Sequence, residues 1–464
     1  MTQLIQISTL YQLANVAANI DAGHFGAADE RRILVVANNA YAPEITPAAT
    51  ELLGSSTLLS RFDSVVDWNA AIWPSHPKQF GVSPTRAPIM RTLLERLWSL
   101  SPDEDISLVV ESLPGHPANA LTQIFADAPI SVHSDGLMSY GPVRNPLGRP
   151  LWQRLENVHY TDLLPGVMPR QLAEHAPNRV ALTVDELRPV VEEMARESDG
   201  ALAAAGLANP IDDSALVLGQ YLAEIELITE EEEIQLHLDM LDEVKRRGLS
   251  TVVFKPHPTS ARTVAEPLRR RAETLGLRFV LADVPVLAEV VASRTQPRLV
   301  VSCFSTGLVT TQALFGTETA AVGTKLLLER IAPYQNSNRI PLTIVDALHR
   351  GGYALEDSAD GRGLREFNAL IDAVTYCMQA NIMWHLREPA ARFLTDALGT
   401  DDMVYFKRKR LTRLELPGSL EASARGRVLR TGKRILRRNA KTALTKLDKR
   451  GIKIDVAKLT GRRT

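Results

Sequence analysis

Thr251-Val252-Val253-Phe254-Lys255-Pro256-His257-Pro258 is an apolar, β-favouring run that ends in a cation and then an imidazole held between two prolines. Such a run reads as a buried strand, and proline fixes φ, so the backbone on both sides of His257 is stiff. A helical pattern precedes it (Glu230–Arg247) and another follows it (Arg262–Leu275), with further strands at Ala215–Leu218, Arg278–Ala282, Leu299–Ser302, Thr319–Gly323 and Leu342–Val345. Strands that alternate with helices in this way predict a parallel sheet with helices on both faces.

The same rhythm occupies the front of the chain. Leu4–Ser8, Ile33–Ala37, Phe62–Trp68, Ser107–Glu111 and Ile130–His133 read as strands, with helical stretches at Leu10–Ala22, Pro84–Leu100 and Pro117–Ala126 between them. From Tyr140 to Pro210 the pattern loosens around Gly141-Pro142 and Asn145-Pro146-Leu147-Gly148-Arg149-Pro150, which are turn punctuation. The expected organisation is α/β of GT-B type: two doubly wound, Rossmann-like domains facing a central cleft, 1–150 and 211–405, joined by a connector 151–210. A basic tail, 406–464, follows.

The chain has 464 residues, 45% hydrophobic and 23% charged, which fits a folded protein of two domains and excludes a mainly disordered one. Two cysteines exclude a disulfide framework and suit a cytoplasmic setting. No run approaches the roughly 20 apolar residues of a membrane span, and Met1–Gln6 lacks the basic start of a secretory signal. The formal net charge of −1 hides a division: residues 407–464 hold 20 Lys and Arg against four acids. Apolar residues from Val428 to Leu447 recur at spacings of three and four with basic residues between them. That pattern predicts an amphipathic helix on anionic lipid, which would hold the protein peripherally at the inner face of the cell membrane. A disordered solvated tail and a nucleic-acid arm are the alternatives, the second disfavoured because aromatic residues for base stacking are missing after Phe406.

In open parallel sheets, ligands bind beyond the carboxyl ends of the strands. Three places there draw attention. Lys255 and His257 suit a phosphate, one as fixed charge and the other as a donor able to transfer a proton; a loop histidine with local hydrogen bonds is the alternative. Ser302-Cys303-Phe304-Ser305-Thr306-Gly307 carries a strand into a helix whose N-terminus attracts anions, with Ser305 or Thr306 as its cap. Ile130-Ser131-Val132-His133-Ser134-Asp135-Gly136 ends a first-domain strand in a carboxylate, where a general base would deprotonate an acceptor hydroxyl. A structural Asp-Gly turn is the competing explanation. His133 and His116 are candidates on the acceptor side. Gly219-Gln220 would let a nucleotide approach the backbone, and Glu289 could bind a ribose diol or lie on a helix surface. Neither a phosphate-binding Gly-x-x-x-x-Gly-Lys loop nor a Gly-x-Gly-x-x-Gly fingerprint occurs, and no Cys/His metal spacing exists. Asp103-Glu104-Asp105 precedes a strand and reads as an acidic turn, so the expected chemistry is metal-independent and needs no cofactor.

The ordered set Ser134-Asp135-Gly136, Lys255-Pro256-His257-Pro258 and Ser302 with Ser305-Thr306 resembles the bacterial α-2,8-polysialyltransferase family. The family's second acidic residue is Ser134 here, and its serines are spread over Ser302 and Ser305. The resemblance implies a GT-B enzyme that transfers sialic acid, or a related nonulosonic acid, from a CMP-sugar donor with inversion. The acceptor would be a surface or lipid-linked glycan such as a capsule polysaccharide. It implies Asp135 as base and His257 at the leaving phosphate, with Lys255, Pro258, Ser302, Ser305 and Thr306 around the donor and Ser134 and Gly136 toward the acceptor. Two readings stay open beside it: another donor (CMP-Kdo or a CDP-polyol phosphate), and a non-catalytic assembly partner.

Overall fold

The computed structural model describes residues 1–27, 29–113, 115–257, 264–356 and 362–420. Met1–Lys407 forms one compact unit and Arg408–Thr464 a second. The described part of the second unit holds one short helix, Arg408–Leu414. Pro258 and the expected amphipathic stretch from Val428 to Leu447 lie outside the described residues.

The first unit contains two parallel sheets. Seven strands make the first: β1 Thr2–Ile7, β2 Arg31–Val36, β3 Ser64–Asp67, β4 Ile106–Val110, β5 Ile130–Ser134, β6 Leu155–Thr161 and β7 Asn178–Leu182, in the order β3-β2-β1-β4-β5-β6-β7. The second sheet has β8 Ser214–Leu218, β9 Thr251–Lys255, β10 Arg278–Leu281, β11 Leu299–Ser302 and β12 Glu318–Ala321, in the order β10-β9-β8-β11-β12. Both orders start at a central strand, run outward, then reverse. Each sheet therefore has a switch point, between β1 and β4 and between β8 and β11, where loops part and ligands enter.

Every residue of β1, β4, β8, β9 and β11 is buried, the signature of strands covered on both faces. β1 buries two glutamines whose amide groups donate: Gln3 to the Phe25 carbonyl at 2.7 Å and Gln6 to Glu111 at 3.0 Å. In the core of the first half, Trp98 stacks on Phe125 and meets Trp68 at a tilt of 52°. The helix Val184–Glu197 opens with a capping box of Thr183 and Glu186. It packs against the helix Leu10–Asp21 of the first half and the helix Ala288–Thr295 of the second, so it braces both sheets. Two Rossmann-ordered sheets within one unit make the expected GT-B architecture.

Three expectations need correction. Residues 151–210 are no mere connector, because they supply β6 and β7. Leu342–Val345 is not a strand but part of the helix Arg339–His349; with both faces buried, its apolar run carries no period to separate the two. Residues up to 405 do not all belong to the second half, since Ile382 and Met383 pack into the core of the first. The expected acidic turn is present: Glu104 accepts hydrogen bonds from the Thr2 hydroxyl and the Ser101 amide and pairs with Arg31. Burial opposes its charge, but these partners outweigh burial and lower its pKa.

Candidate active site

At the switch point of the first sheet, Glu111 follows β4 and is held in a polar cage. Ser8 Oγ donates to it at 2.8 Å, Gln6 Nε2 at 3.0 Å and Gln12 Nε2 at 3.0 Å. One strand over, Asp135 follows β5, where it is half-buried. Burial raises the pKa of its carboxyl; His133 pulls the other way, the nearby charge of Glu111 adds to the rise, and Gln12 hydrogen-bonds it. A carboxylate whose proton affinity is raised in this way is a better base near neutral pH than a solvated one. Gly136 then turns with φ +66°, and a Cβ there would lie 2.9 Å from Thr306 Oγ1. Only glycine satisfies both demands.

That contact joins the two halves. The Leu137 amide lies 3.5 Å from Thr306 Oγ1, so the loop after β5 meets the N-terminus of the helix Thr306–Phe315 after β11. Ser305 is the cap, accepting from the Gly307 amide at 3.1 Å. Both Ser305 and Thr306 are half-buried and remain partly open.

The opposite bank comes from β8 and β9. Gly219 donates its amide to the Lys255 carbonyl at 2.8 Å, and a Cβ on it would meet the His257 amide nitrogen and Pro256 Cα at 3.0 Å. The glycine is what lets the two strand-end loops touch. His257 stacks on Tyr221, ring centroids 4.0 Å apart. Burial and the Lys255 charge lower its pKa to about 4, so the ring is neutral near pH 7. Lys255 is buried, donates to the Val284 carbonyl at 2.8 Å, and has its pKa lowered to about 8 by burial against the pull of Asp283 and Glu289. Its ammonium stays mostly charged at neutral pH.

Tyr11 ties these groups together. It starts the helix after β1, and its hydroxyl pKa is pushed well up by burial and then by the charges of Glu289 and Asp135. One phenol therefore lies close to a carboxyl from each half.

The profile of the family described as alpha-2,8-polysialyltransferase matches residues 3–324. The chain belongs to that family. It is accordingly a sialyl-transferring glycosyltransferase. No curated protein matches the sequence. Among solved structures, the GT-B domain of a sialyltransferase from Photobacterium damselae is similar at 12% identity, covering 75% of this chain and 96% of that one, with a TM-score of 0.38. A UDP-GlcNAc 2-epimerase from Methanocaldococcus jannaschii gives 11% identity over 69% of this chain and 89% of its own, TM-score 0.40. A heptosyltransferase from E. coli gives 16% over 68% and 85%, TM-score 0.30.

Within this polysialyltransferase-family site, several candidates turn out to be scaffolding. Ser302 is fully buried and donates to the Leu218 carbonyl at 3.1 Å, tying β11 to β8, so its hydroxyl does not face a donor. Glu289 is neither on a helix surface nor open to a ribose: it is buried, accepts from the Thr310 hydroxyl, and burial raises its pKa against that bond and Lys255. His133 is buried with Nε2 2.7 Å from the Gln6 carbonyl, bracing β5 against β1 rather than meeting an acceptor. Ser134 is buried in β5. His116, half-buried, passes 3.7 Å from the Cβ position of Gly81. Gln220 is buried, and its backbone N–H donates to His237 Nε2 at 3.1 Å. The sequence reading passed over Tyr11, Gln12, Glu111 and Tyr221; of these, Glu111 stands directly after an apolar strand and obeys the rule that singled out Asp135.

His237 gives this scaffold a pH limit. Since the Gln220 amide donates to Nε2, Nδ1 carries the proton and donates to the Glu233 carbonyl at 2.8 Å. Burial lowers the pKa to about 4 from 6.5. Between those values the unfolded chain binds a proton that the folded chain refuses, so stability falls as pH drops through this window, by about 3 kcal/mol in full. Urea melts from pH 7 to 4 should show this loss, and His237→Gln should have a flatter profile; an unchanged slope would refute the assignment.

Proposed function

We propose that the protein transfers a sialic or related nonulosonic acid from a CMP-activated donor to a glycan hydroxyl, with inversion at the anomeric carbon. The observation that carries this reading is the contact of the Asp135-Gly136-Leu137 loop with Thr306, which sets a base of raised pKa beside an anion-attracting helix N-terminus.

The chemistry follows from charge. As the bond from anomeric carbon to phosphate oxygen breaks, the electron pair leaves with CMP and the sugar becomes oxocarbenium-like. The departing phosphate gains negative charge. Lys255 supplies positive charge to it, and the N-terminus of the helix after Ser305, with the Thr306 hydroxyl, supplies fixed dipoles. His257 is neutral in the empty site and donates one N–H; an incoming phosphate counters the Lys255 charge that lowers its pKa and draws a proton toward the ring. On the opposite face the acceptor oxygen forms the new bond while Asp135 takes its proton. The basic tail would hold this machinery at an anionic inner membrane surface near capsule or other lipid-linked acceptors. Among the described residues no helix is long and apolar enough to cross a membrane.

The test is CMP release by purified protein offered CMP-sialic acid, CMP-Kdo and CDP-glycerol, with and without EDTA. Release from CMP-sialic acid that survives EDTA is expected, because Lys255 and the helix terminus meet the phosphate charge. Release from CDP-glycerol alone would reassign the donor, and release abolished by EDTA would contradict metal independence.

A further inference from the structure

The chain just beyond β4 and just beyond β5 carries two carboxyls, Glu111 and Asp135, and one amide stands between them. Gln12, in the first turn of the helix Leu10–Asp21, is buried, and its partners decide which way its side chain lies. Its Oε1 accepts the Ser8 backbone N–H at 2.7 Å, so the opposite end is the amino group. That group has two hydrogens. One goes to Glu111 Oε2 at 3.0 Å and the other to the Asp135 carboxylate. An amino group that serves two acceptors holds their oxygens roughly 5 Å apart.

The hydrogen bonds around Glu111 decide which carboxyl of the pair keeps its charge. Ser8 Oγ accepts from Asn39 Nδ2 at 2.7 Å and from Gln6 Nε2 at 3.2 Å, so its own proton is left for Glu111 Oε1 at 2.8 Å. Gln6 is fixed in the same manner as Gln12: its Oε1 accepts the Glu111 amide at 3.2 Å, and its Nε2 donates to Glu111 Oε1 at 3.0 Å. Glu111 thus faces donors from Ser8, Gln6 and Gln12, and a proton placed on it would find no acceptor among them. This is a socket for a carboxylate.

The surroundings of Asp135 are more mixed. His133 belongs to its own strand, Tyr11 and Gln12 to the helix Leu10–Asp21, and Glu111 to the end of β4, while Thr306 of the second half meets the adjoining Gly136. His133 Nε2 donates to the Gln6 carbonyl, which leaves Nδ1 as its proton-accepting atom, and a charged His133 would oppose Glu111. The Tyr11 hydroxyl, its pKa raised by burial, stays neutral. Two carboxyls this close lose their protons in separate steps, and the wiring gives the last proton to Asp135.

We propose that Glu111 and Gln12 are positioning residues of the transfer reaction: Glu111 is a fixed negative charge that makes Asp135 the stronger base, and Gln12 is the strut that aims its carboxylate. The proposal rests on Asp135 as the group that deprotonates the acceptor hydroxyl, and adds how this chain strengthens and aligns it. The two residues act on Asp135 with opposite sign. The charge of Glu111 disfavours a second negative charge beside it, whereas the Gln12 N–H favours one.

Those opposite signs supply the test. Full-length protein carrying carbon-13 at the aspartate side-chain carboxyls is titrated by NMR from about pH 3 to pH 9, and the Asp135 resonance is the one missing from Asp135→Asn. Glu111→Gln should lower its midpoint by about one unit or more, the size of a like-charge effect at this range. Gln12→Leu should raise it by about one unit, the worth of a hydrogen bond to a charged group. The acid limb of transfer from CMP-sialic acid should move in the same two directions, with kcat lowered about three- to tenfold and donor KM unchanged. Midpoints that stay in place, or that move the same way in both variants, at unchanged thermal melts would overturn the proposal. Should one variant fail to fold, the sign of the shift in the other decides. Absence of transfer by the wild type counts against sialyl transfer, whereas the titration judges the carboxyl pair with or without turnover.

Discussion

Asp135→Asn is expected to lower transfer by about 10²–10⁴-fold, the range for losing a general base. The amide keeps the shape of the carboxylate but cannot take a proton. Because burial raises the Asp135 pKa, the carboxylate is dehydrated at some expense, and replacing it removes a burdened charge rather than a stabilising one. The variant should therefore fold normally, keep its donor affinity and lose kcat. The pH profile supplies an independent sign. In the wild type, activity should fall on the acid side with an apparent pKa above the usual carboxylate range, since protonated Asp135 is no base. Asp135→Asn should lose that limb. Wild-type turnover by the purified variant would remove Asp135 from the mechanism.

His257→Ala should cost about 10²–10³-fold, the measured scale for one donor to a developing oxyanion. The ring acts on the leaving phosphate, so its loss should slow donor cleavage with water or a glycan as acceptor. The substitution also strips a stacking partner from Tyr221. His257→Gln keeps an N–H donor near the same place and should recover part of the rate. Equal rates of CMP release from wild type and His257→Ala would show that the phosphate leaves elsewhere.

Much of the fold was legible in the sequence because central parallel strands are continuous apolar runs. Thr251–Lys255 and Leu299–Ser302 have the expected bounds, and β1, β2, β4, β5 and β8 shift by one or two residues. Two strands of the first sheet, β6 and β7, were not legible for the converse reason. β7, Asn178–Leu182, is exposed or half-buried over its first four residues, so it carries no apolar run. β6 begins Leu155-Glu156-Asn157 beside Gly-Pro punctuation and is buried only from Val158. The helix Arg339–His349 misled because its run Leu342–Val345 is buried on every side. The placement of Asp135, Lys255, His257, Ser305 and Thr306 at the carboxyl ends of β5, β9 and β11 was legible because each ends or closely follows an apolar run. The burial of a side chain was not: Ser302 ends β11 and Glu289 lies in the first turn of the helix Ala288–Thr295, and both point into the interior. Tyr11 and Tyr221 had no local signal, since each gains its meaning from a residue of another segment: Tyr11 from Asp135 and Glu289, Tyr221 from His257.

A crystal structure with a non-transferable CMP-sialic acid analogue tests most directly whether the two halves act on one activated sugar. The predicted result is a phosphate within hydrogen-bond reach of the His257 ring and the helix terminus at Ser305-Thr306, with the Asp135 carboxylate on the opposite face of the sugar ring. A phosphate bound away from His257, or an Asp135 on the same face as the departing CMP, would contradict the account.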